Sequence, residues 1–521
     1  MAAHDRLIQA LTDRAVYEHP TTEITVQQTH ISWVVLTGPY AYKIKKPVNL
    51  GFVDFSTLAK RHAFCQEELR LNRRLAPQLY LDVVPIYGTP AQPRWHGPGA
   101  PIEYAVRMAQ FPQDALLSHR IETGTLQVAH IDHLAHTLSA FHARIAVADP
   151  RSGFGTPEAV WHPVQENFQH LFDAIHDPVL QAQAREIKAW CQRTFTAHHP
   201  RFAARRQDGY VRECHGDLHL GNMILQDDAV VIFDCLEFNP ALRWIDVASD
   251  VAFLTMDLED RGRPDLAHRV LNSYLEATGD YGLLELLPFY LVYRALVRAK
   301  VAGIRLGQRH LAPEEHAHLL QAFGSYLALA ARSTHPSRPR LVITHGLSGS
   351  GKTSGTQPLI DTMGAVRLRA DVERKRLFGL APLERSAGRD GLDLYTPEAT
   401  QRTYAVLARL AERVVAAGYT AVVDATFLQR AHREAFRDLA TQLGVPFLIL
   451  AFRAQPETLQ RRVALRQAQG QDASEANLAV LRGQVATLEP LSAAEQVATR
   501  IVDTDVPQPP QYVLDLVGIA P

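Results

Sequence analysis

Cysteine is scarce in this chain: Cys65, Cys191, Cys214 and Cys235 are the only four in 521 residues. None forms a C-x-x-C pair, which excludes a disulfide framework and points to a reducing, cytoplasmic setting. No uninterrupted apolar run is long enough to span a bilayer. Residues 1–20 lack a long apolar stretch and carry Asp5, Asp13 and Glu18, so no signal peptide is expected. An excess of one charge sign is missing too, with 54 Lys and Arg against 55 Asp and Glu. That balance removes any bulk electrostatic reason to bind nucleic acid or an anionic membrane surface.

What remains is an ordinary globular composition, 46% apolar and 21% charged, in a chain too long for one core. The clearest seam is residues 331–340, ARSTHPSRPR, polar and interrupted by Pro336 and Pro339. It reads as a linker between a domain at 1–330 and a second at 341–521. Before it, strands are predicted at 31–36 and 41–45 around the turn Thr37-Gly38-Pro39-Tyr40, a helix at 57–75 and a strand at 103–108. The pattern is then mostly helical, except for a hairpin turning at Gln226-Asp227-Asp228 between 222–225 and 230–233. After the seam, strands at 341–345, 365–369, 420–424 and 447–452 alternate with helices, notably 400–417. Such alternation argues for a parallel α/β sheet.

The most informative stretch of the first half is His215-Gly216-Asp217-Leu218-His219-Leu220-Gly221-Asn222, followed by an apolar strand ending in Asp234. Phosphoryl transfer needs a carboxylate beside the attacking hydroxyl and oxygen ligands that hold Mg²⁺ against the ATP phosphates. Asp217 and Asn222 at D-x-x-x-x-N spacing, with Asp234 returning on the hairpin, supply these groups in the spacing of a kinase catalytic loop. On these residues the chain resembles the aminoglycoside phosphotransferase and choline kinase-like family. The resemblance implies an α+β, bilobal, protein-kinase-like fold, with Asp217 as the catalytic aspartate, Asn222 and Asp234 as Mg²⁺ ligands and His215 bracing the loop. Ala41-Tyr42-Lys43-Ile44 resembles the strand whose lysine grips the ATP phosphates; Lys43 is favoured and Lys45, on the same strand face, is its rival. Glu68 resembles the helix glutamate that pairs with that lysine, with Glu67 the alternative. A glycine-rich nucleotide loop is absent; Gly38 stands alone in the turn.

The second half opens with Gly346-Leu347-Ser348-Gly349-Ser350-Gly351-Lys352-Thr353, a full G-x-x-x-x-G-K-[ST] match between a predicted strand and a helix. The backbone amides of Gly346, Ser348, Gly349, Ser350 and Gly351 are expected to cradle phosphate. Lys352 would neutralise the β and γ oxygens, and the Thr353 hydroxyl would ligate Mg²⁺. Pro358 falls in the following helix and predicts a kink. Asp424, closing a neighbouring strand, reads either as a second metal-side carboxylate or as a loop or cap residue. In Arg367-Leu368-Arg369-Ala370-Asp371-Val372-Glu373-Arg374-Lys375, Asp371 is placed to take an acceptor proton and Arg374 to grip an anionic group. Arg461, Arg462 and Arg466 precede the polar 467–472. They read equally as a lid that brings a guanidinium to the transferring phosphoryl group or as a salt-bridged surface helix. This half is similar to small P-loop kinases, including polynucleotide 5′-hydroxyl kinases, zeta toxins and gluconate kinase-like proteins. The L-R-A-D-V-x-R-K segment makes Asp371 the general base by that resemblance, with Arg462 and Arg466 as lid candidates.

Three functions are open at this point. The leading one is a tandem Mg²⁺- and ATP-dependent kinase acting on hydroxyls of small-molecule acceptors. The others are one catalytic domain gated by a nucleotide-sensing partner, and a nucleic-acid 5′-end or toxin-like kinase. The second half has no basic groove interleaved with aromatics, which argues against nucleic acid. Arg294, Arg298 and Arg305 share a helical face within 290–308, read as a solvated basic face in preference to a site for an anionic partner. The oligomeric state is not encoded in any of these features.

Overall fold

The computed structural model describes residues 2–518 apart from 22, 52, 176, 308–311, 336, 337, 387–392 and 471. Gln308, Pro336, Ser337 and Gln471, which belong to segments singled out in the sequence, therefore lie outside the described residues. The chain divides into two compact units, one of residues 1–133, 140–170 and 193–257 and one of residues 134–139, 171–192 and 258–521.

The first unit carries a six-stranded sheet: β1 (Thr25–Gln28), β2 (Ser32–Leu36), β3 (Tyr40–Lys45), β4 (Tyr80–Thr89), β5 (Gln92–Arg94) and β6 (Glu103–Ala109). Its spatial order is β1-β2-β3-β6-β4-β5, with every pairing antiparallel. Period-two alternation in β3 sends Tyr42 and Ile44 into a core with Trp33, Val35 and Ile86, which leaves Lys43 and Lys45 to the opposite face. The helix Leu58–Asn72 starts at an N-cap, Thr57, whose hydroxyl accepts from the Lys60 amide, as capping residues do. Further along, β8 (Met223–Gln226) and β9 (Ala229–Ile232) form the expected hairpin. Asp227 and Asp228 both hold positive φ, 49° and 60°, the backbone that a two-residue hairpin turn requires.

The helical reading before the seam needs one correction. A second antiparallel pair, β7 (Val211–Glu213) with β10 (Trp244–Asp246), flanks the segment 215–222 in the chain; strands of three residues are too short to display an alternation. The expected solvated arginine face holds only at Arg305, half of whose side chain is exposed. In the helix Leu287–Leu306, Arg294 is buried and stacks over the Tyr293 ring. Arg298 donates to the Tyr326 hydroxyl, and Arg305 pairs with Glu315 at 2.7 Å.

The second unit contains a five-stranded, wholly parallel sheet: β11 (Leu341–His345), β12 (Val366–Arg369), β13 (Ala421–Asp424), β14 (Phe447–Arg453) and β15 (Thr499–Asp503). The order is β12-β13-β11-β14-β15, with every pairing parallel. Val342, Val422, Leu450 and Val502 pack with Leu359, Ile360 and Phe452 in one apolar layer, as expected of strands buried on both faces. The helix Lys352–Met363 continues through Pro358, so the expected kink does not end it. Among the described residues no helix is long and apolar enough to cross a membrane, and all four cysteines are free and buried.

Arg433 fixes the loop that follows Asp424. Its guanidinium lies 2.6 Å from Glu495 and donates to the carbonyls of Phe427 and Leu428. Both charges are out of water, so removing one strands the other. Arg433→Ala is expected to destabilise this unit by about 3 kcal/mol, read as faster hydrogen exchange at β11 and β13 amides; unchanged exchange there would refute the assignment.

Candidate active sites

In the first unit, burial of two lysines on one strand face demands carboxylates, and the helix Leu58–Asn72 provides one to both. Lys43 Nζ lies 2.8 Å from Glu68 Oε1 and 2.5 Å from Asp234 Oδ1. Lys45 Nζ lies 2.8 Å from Glu68 Oε2 and also pairs with Glu237. Lys43 keeps some exposure, 13%, while Lys45 has none, so of the two rivals Lys43 is nearer solvent. Glu67 points elsewhere, to Arg70 and Arg243. Burial alone would lower the Lys43 pKa, yet Asp234 and Glu68 outweigh it and raise it well above the ordinary value. Burial likewise opposes ionisation of Glu68, but Lys43 and Lys45 pull its carboxyl down to about 2.

The loop 215–222 is held by its own polar groups. The Asn222 amide nitrogen donates to Asp217 Oδ2 and to the Asp217 carbonyl, both at 3.0 Å. That leaves the Asn222 amide oxygen as the group able to meet a cation. His219 lies 3.4 Å from Asp217 Oδ2. His215 Nε2 donates to the Phe233 carbonyl at 2.9 Å, and the Phe233 amide donates to the Asn222 carbonyl at 2.9 Å. These bonds tie the Asp217 loop to the strand end that delivers Asp234, whose φ of 61° is rare for a non-glycine residue. Burial lowers the His215 pKa, consistent with a neutral ring that donates through Nε2.

Four contributors have no motif of their own in the sequence. Asp250 accepts from the amides of His215 and Gly216, both at 2.9 Å, and Asp257 accepts from Leu220 N at 2.9 Å. The Tyr80 hydroxyl accepts from Asp234 N at 3.2 Å, and Glu237 completes the lysine cluster. Apart from the register of Asp250 and Asp257 along one helix, nothing in the sequence marks them.

In the second unit the loop 346–353 closes around its own lysine. Lys352 Nζ donates to the carbonyls of Gly346 and Leu347, at 3.0 and 2.9 Å. Glycine is required at Gly346 and Gly349, with φ of 145° and 85°. A Cβ there would sit 2.5 Å from the Phe452 carbonyl and 2.9 Å from the Leu459 carbonyl, respectively. Gly351 adopts φ 80° at the start of the helix. Ser348 is clasped by Gln484, which accepts from its amide at 2.9 Å and donates to its hydroxyl at 3.0 Å; Ser350 is buried.

Asp424 closes β13, directly beside β11, and accepts from the Thr353 hydroxyl at 2.6 Å. Burial holds the Lys352 pKa below its ordinary value, with Asp424 and Asp371 opposing and Arg466 reinforcing. These charges therefore converge on one centre. Asp371 lies 3.5 Å from Arg374 Nη1 and stays partly exposed; Arg374 stacks over the Tyr395 ring. On the helix Pro456–Gln469, Arg462 and Arg466 take different positions. Arg462 donates to the Gly349 carbonyl at 3.3 Å and to Thr504 Oγ1 at 2.9 Å. Arg466 donates to the Ala476 carbonyl at 3.2 Å, and Arg461 is exposed.

A lysine held among carboxylates on a kinase-like sheet, and a P-loop lysine beside a Thr–Asp pair, are the marks of ATP-dependent kinases. The class is carried by the family matches: residues 52–287 match the phosphotransferase enzyme family, and residues 341–491 match an AAA domain family. In particular, the chain is an ATP-dependent phosphotransferase, with one segment similar to the phosphotransferase enzyme family and a second similar to the AAA domain family. It is similar to the protein Rv2004c of Mycobacterium tuberculosis, 29% identical over 462 residues, 88% of this chain and 89% of that one. Among solved structures, a choline/ethanolamine kinase family protein from Mesorhizobium loti is 13% identical, with 64% of this chain and 100% of that chain covered at a TM-score of 0.36. A gluconokinase from Sinorhizobium meliloti is 22% identical, with 34% and 89% covered at a TM-score of 0.24.

The Glu68 cluster sets a pH dependence. Its folded pKa lies below the ordinary 4.5, so its stabilisation is complete above about pH 5 and fades as pH falls toward 2. Glu68→Gln is expected to lower the melting temperature at pH 7 and to flatten its decline toward pH 3. Trp33 and Trp95 pack in the apolar core against the first unit's sheet and report the transition by fluorescence; an unchanged slope with pH would refute the assignment.

Proposed function

We propose that each half of the chain, 1–330 and 341–521 across the linker 331–340, transfers the γ-phosphoryl group of Mg-ATP to a hydroxyl of a small-molecule acceptor. The observation that carries this reading is that each half sets a partly buried lysine among oxygen ligands. Lys43 meets Glu68 and Asp234 in the first, and Lys352 lies under the loop whose Thr353 meets Asp424 in the second.

In the first site Lys43, held by Glu68, grips the ATP phosphates. Asp217 takes the proton of the acceptor hydroxyl as its oxygen bonds to the γ-phosphorus and the bond to the β-phosphate oxygen breaks, releasing ADP. Asn222 and Asp234 offer an amide and a carboxylate oxygen, a donor set suited to Mg²⁺, which when bound neutralises phosphate charge. In the second site the amides of 346–351 and Lys352 hold the phosphates, Thr353 and Asp424 form the metal side, and Asp371 takes the acceptor proton. Arg462 is engaged by Gly349 and Thr504, so we assign it to bracing the loop. Arg466, whose charge is felt at Lys352, is assigned to the transferring phosphoryl group.

The test is a phosphorylation screen of metabolite extract by mass spectrometry, comparing wild type with Asp217→Ala and Lys352→Ala. Each variant is expected to lose a product, or a step of one series, by about 10²- to 10⁴-fold. A screen in which neither variant differs from wild type sinks the two-site reading. Loss confined to one variant reduces it to a single catalytic half.

A further inference from the structure

The strand β12 lies at the edge of the parallel sheet, where outward amides need partners. One comes from the helix Pro264–Thr278: the Arg367 amide donates to Asn272 Oδ1 at 2.8 Å. One turn on, Glu276 reaches both arginines of the strand, with Oε1 3.2 Å from Arg367 Nε and Oε2 3.7 Å from Arg369 Nη1. These arginines lead into the second site. Arg367 Nη1 donates to the Thr353 carbonyl at 2.8 Å. Arg369 pairs with Asp472 at 3.2 Å and is the N-cap residue of the helix Ala370–Leu377, which carries Asp371 and Arg374. The same helix is held further by Tyr281, whose hydroxyl donates to Glu373 at 3.0 Å. Arg376 in turn bonds to Glu373 and to the Glu276 carbonyl. Glu276 lies within the span matched by the phosphotransferase family, yet both of its ion-pair partners lie within the AAA-type span.

We propose that Glu276 is a positioning residue of the P-loop site, acting through Arg367 and Arg369 to fix the metal-side Thr353 and the acceptor-side helix of Asp371. The proposal rests on the kinase reading of that half. The Glu276 side chain is 15% exposed and that of Arg367 8%, so Arg367 relies on this carboxylate for charge compensation, while Arg369 shares it with Asp472. Because the phosphate-cradling amides of 346–351 lie outside this contact, Glu276 governs the geometry of transfer and leaves ATP capture to the loop.

The test uses the full chain carrying Lys43→Ala, in which the ATP hydrolysis lost on adding Lys352→Ala belongs to the P-loop site. Adding Glu276→Gln is expected to lower kcat roughly ten- to hundredfold while KM for ATP stays within about twofold. Arg369→Gln should do the same, and the Glu276→Gln/Arg369→Gln pair should be no slower than the slower single variant. Losses that multiply, a KM that rises as kcat falls, or an unchanged Glu276→Gln would overturn the proposal. Should Glu276→Gln fail to fold, Glu276→Asp keeps the charge, shortens the reach and carries the same expectation. A Lys43→Ala parent that neither binds AMP-PNP nor hydrolyses ATP would overturn the kinase reading of this half and the proposal with it.

Discussion

Two lysines two residues apart on one strand cannot leave water uncompensated, and the first site is organised around meeting that demand. Glu68 divides its two oxygens between Lys43 and Lys45, while Asp234 and Glu237 take the remaining share. Because these groups come from β3, from the helix Leu58–Asn72 and from the chain beyond β9, one electrostatic requirement fixes three elements at once. Low local dielectric makes each member costly to lose, so the geometry of the cluster is set by its own charges.

The second half solves the same problem with backbone in place of side-chain charge. Gly346 and Gly349 let the chain curl where a Cβ would strike the carbonyls of Phe452 and Leu459. Within that curl the Gly346, Ser348 and Ser350 amides donate to the Thr426 carbonyl, the Gln484 side chain and the Leu347 carbonyl. The lysine here is held by carbonyl dipoles, and the loop engages the Asp424 carboxylate through Thr353. On the proposed reading, a phosphate tail is met once by a charge cluster and once by a folded loop.

The sequence showed each element wherever local signals were dense. The apolar strands at 341–345, 420–424 and 447–452 and the hairpin around Asp227-Asp228 are found within a residue or so of where periodicity predicts them. β15 escaped because Val502 is its lone buried residue, and β7 and β10 because they span three residues each. Among candidate site residues, those with fixed spacing could be read directly: Asp217 with Asn222, and Gly346 through Thr353. Glu237, Asp250, Asp257 and Glu276 could not, since each earns its place by proximity across the fold, which spacing along the chain does not encode. The arginine face at 294–305 misled at Arg298, whose partner Tyr326 comes from the following helix, and at Arg294, which is buried against its own neighbour Tyr293.

The bond from Arg367 N to Asn272 has a consequence for how this chain can be divided. A fragment starting at the polar seam would keep every residue of the P-loop and still leave the rim of β12 bare, with amides ready to recruit a strand from a neighbouring molecule. Scission at the place the sequence advertises as a joint would produce a sticky half-enzyme. A separable version would have to carry residues 264–278 along with it.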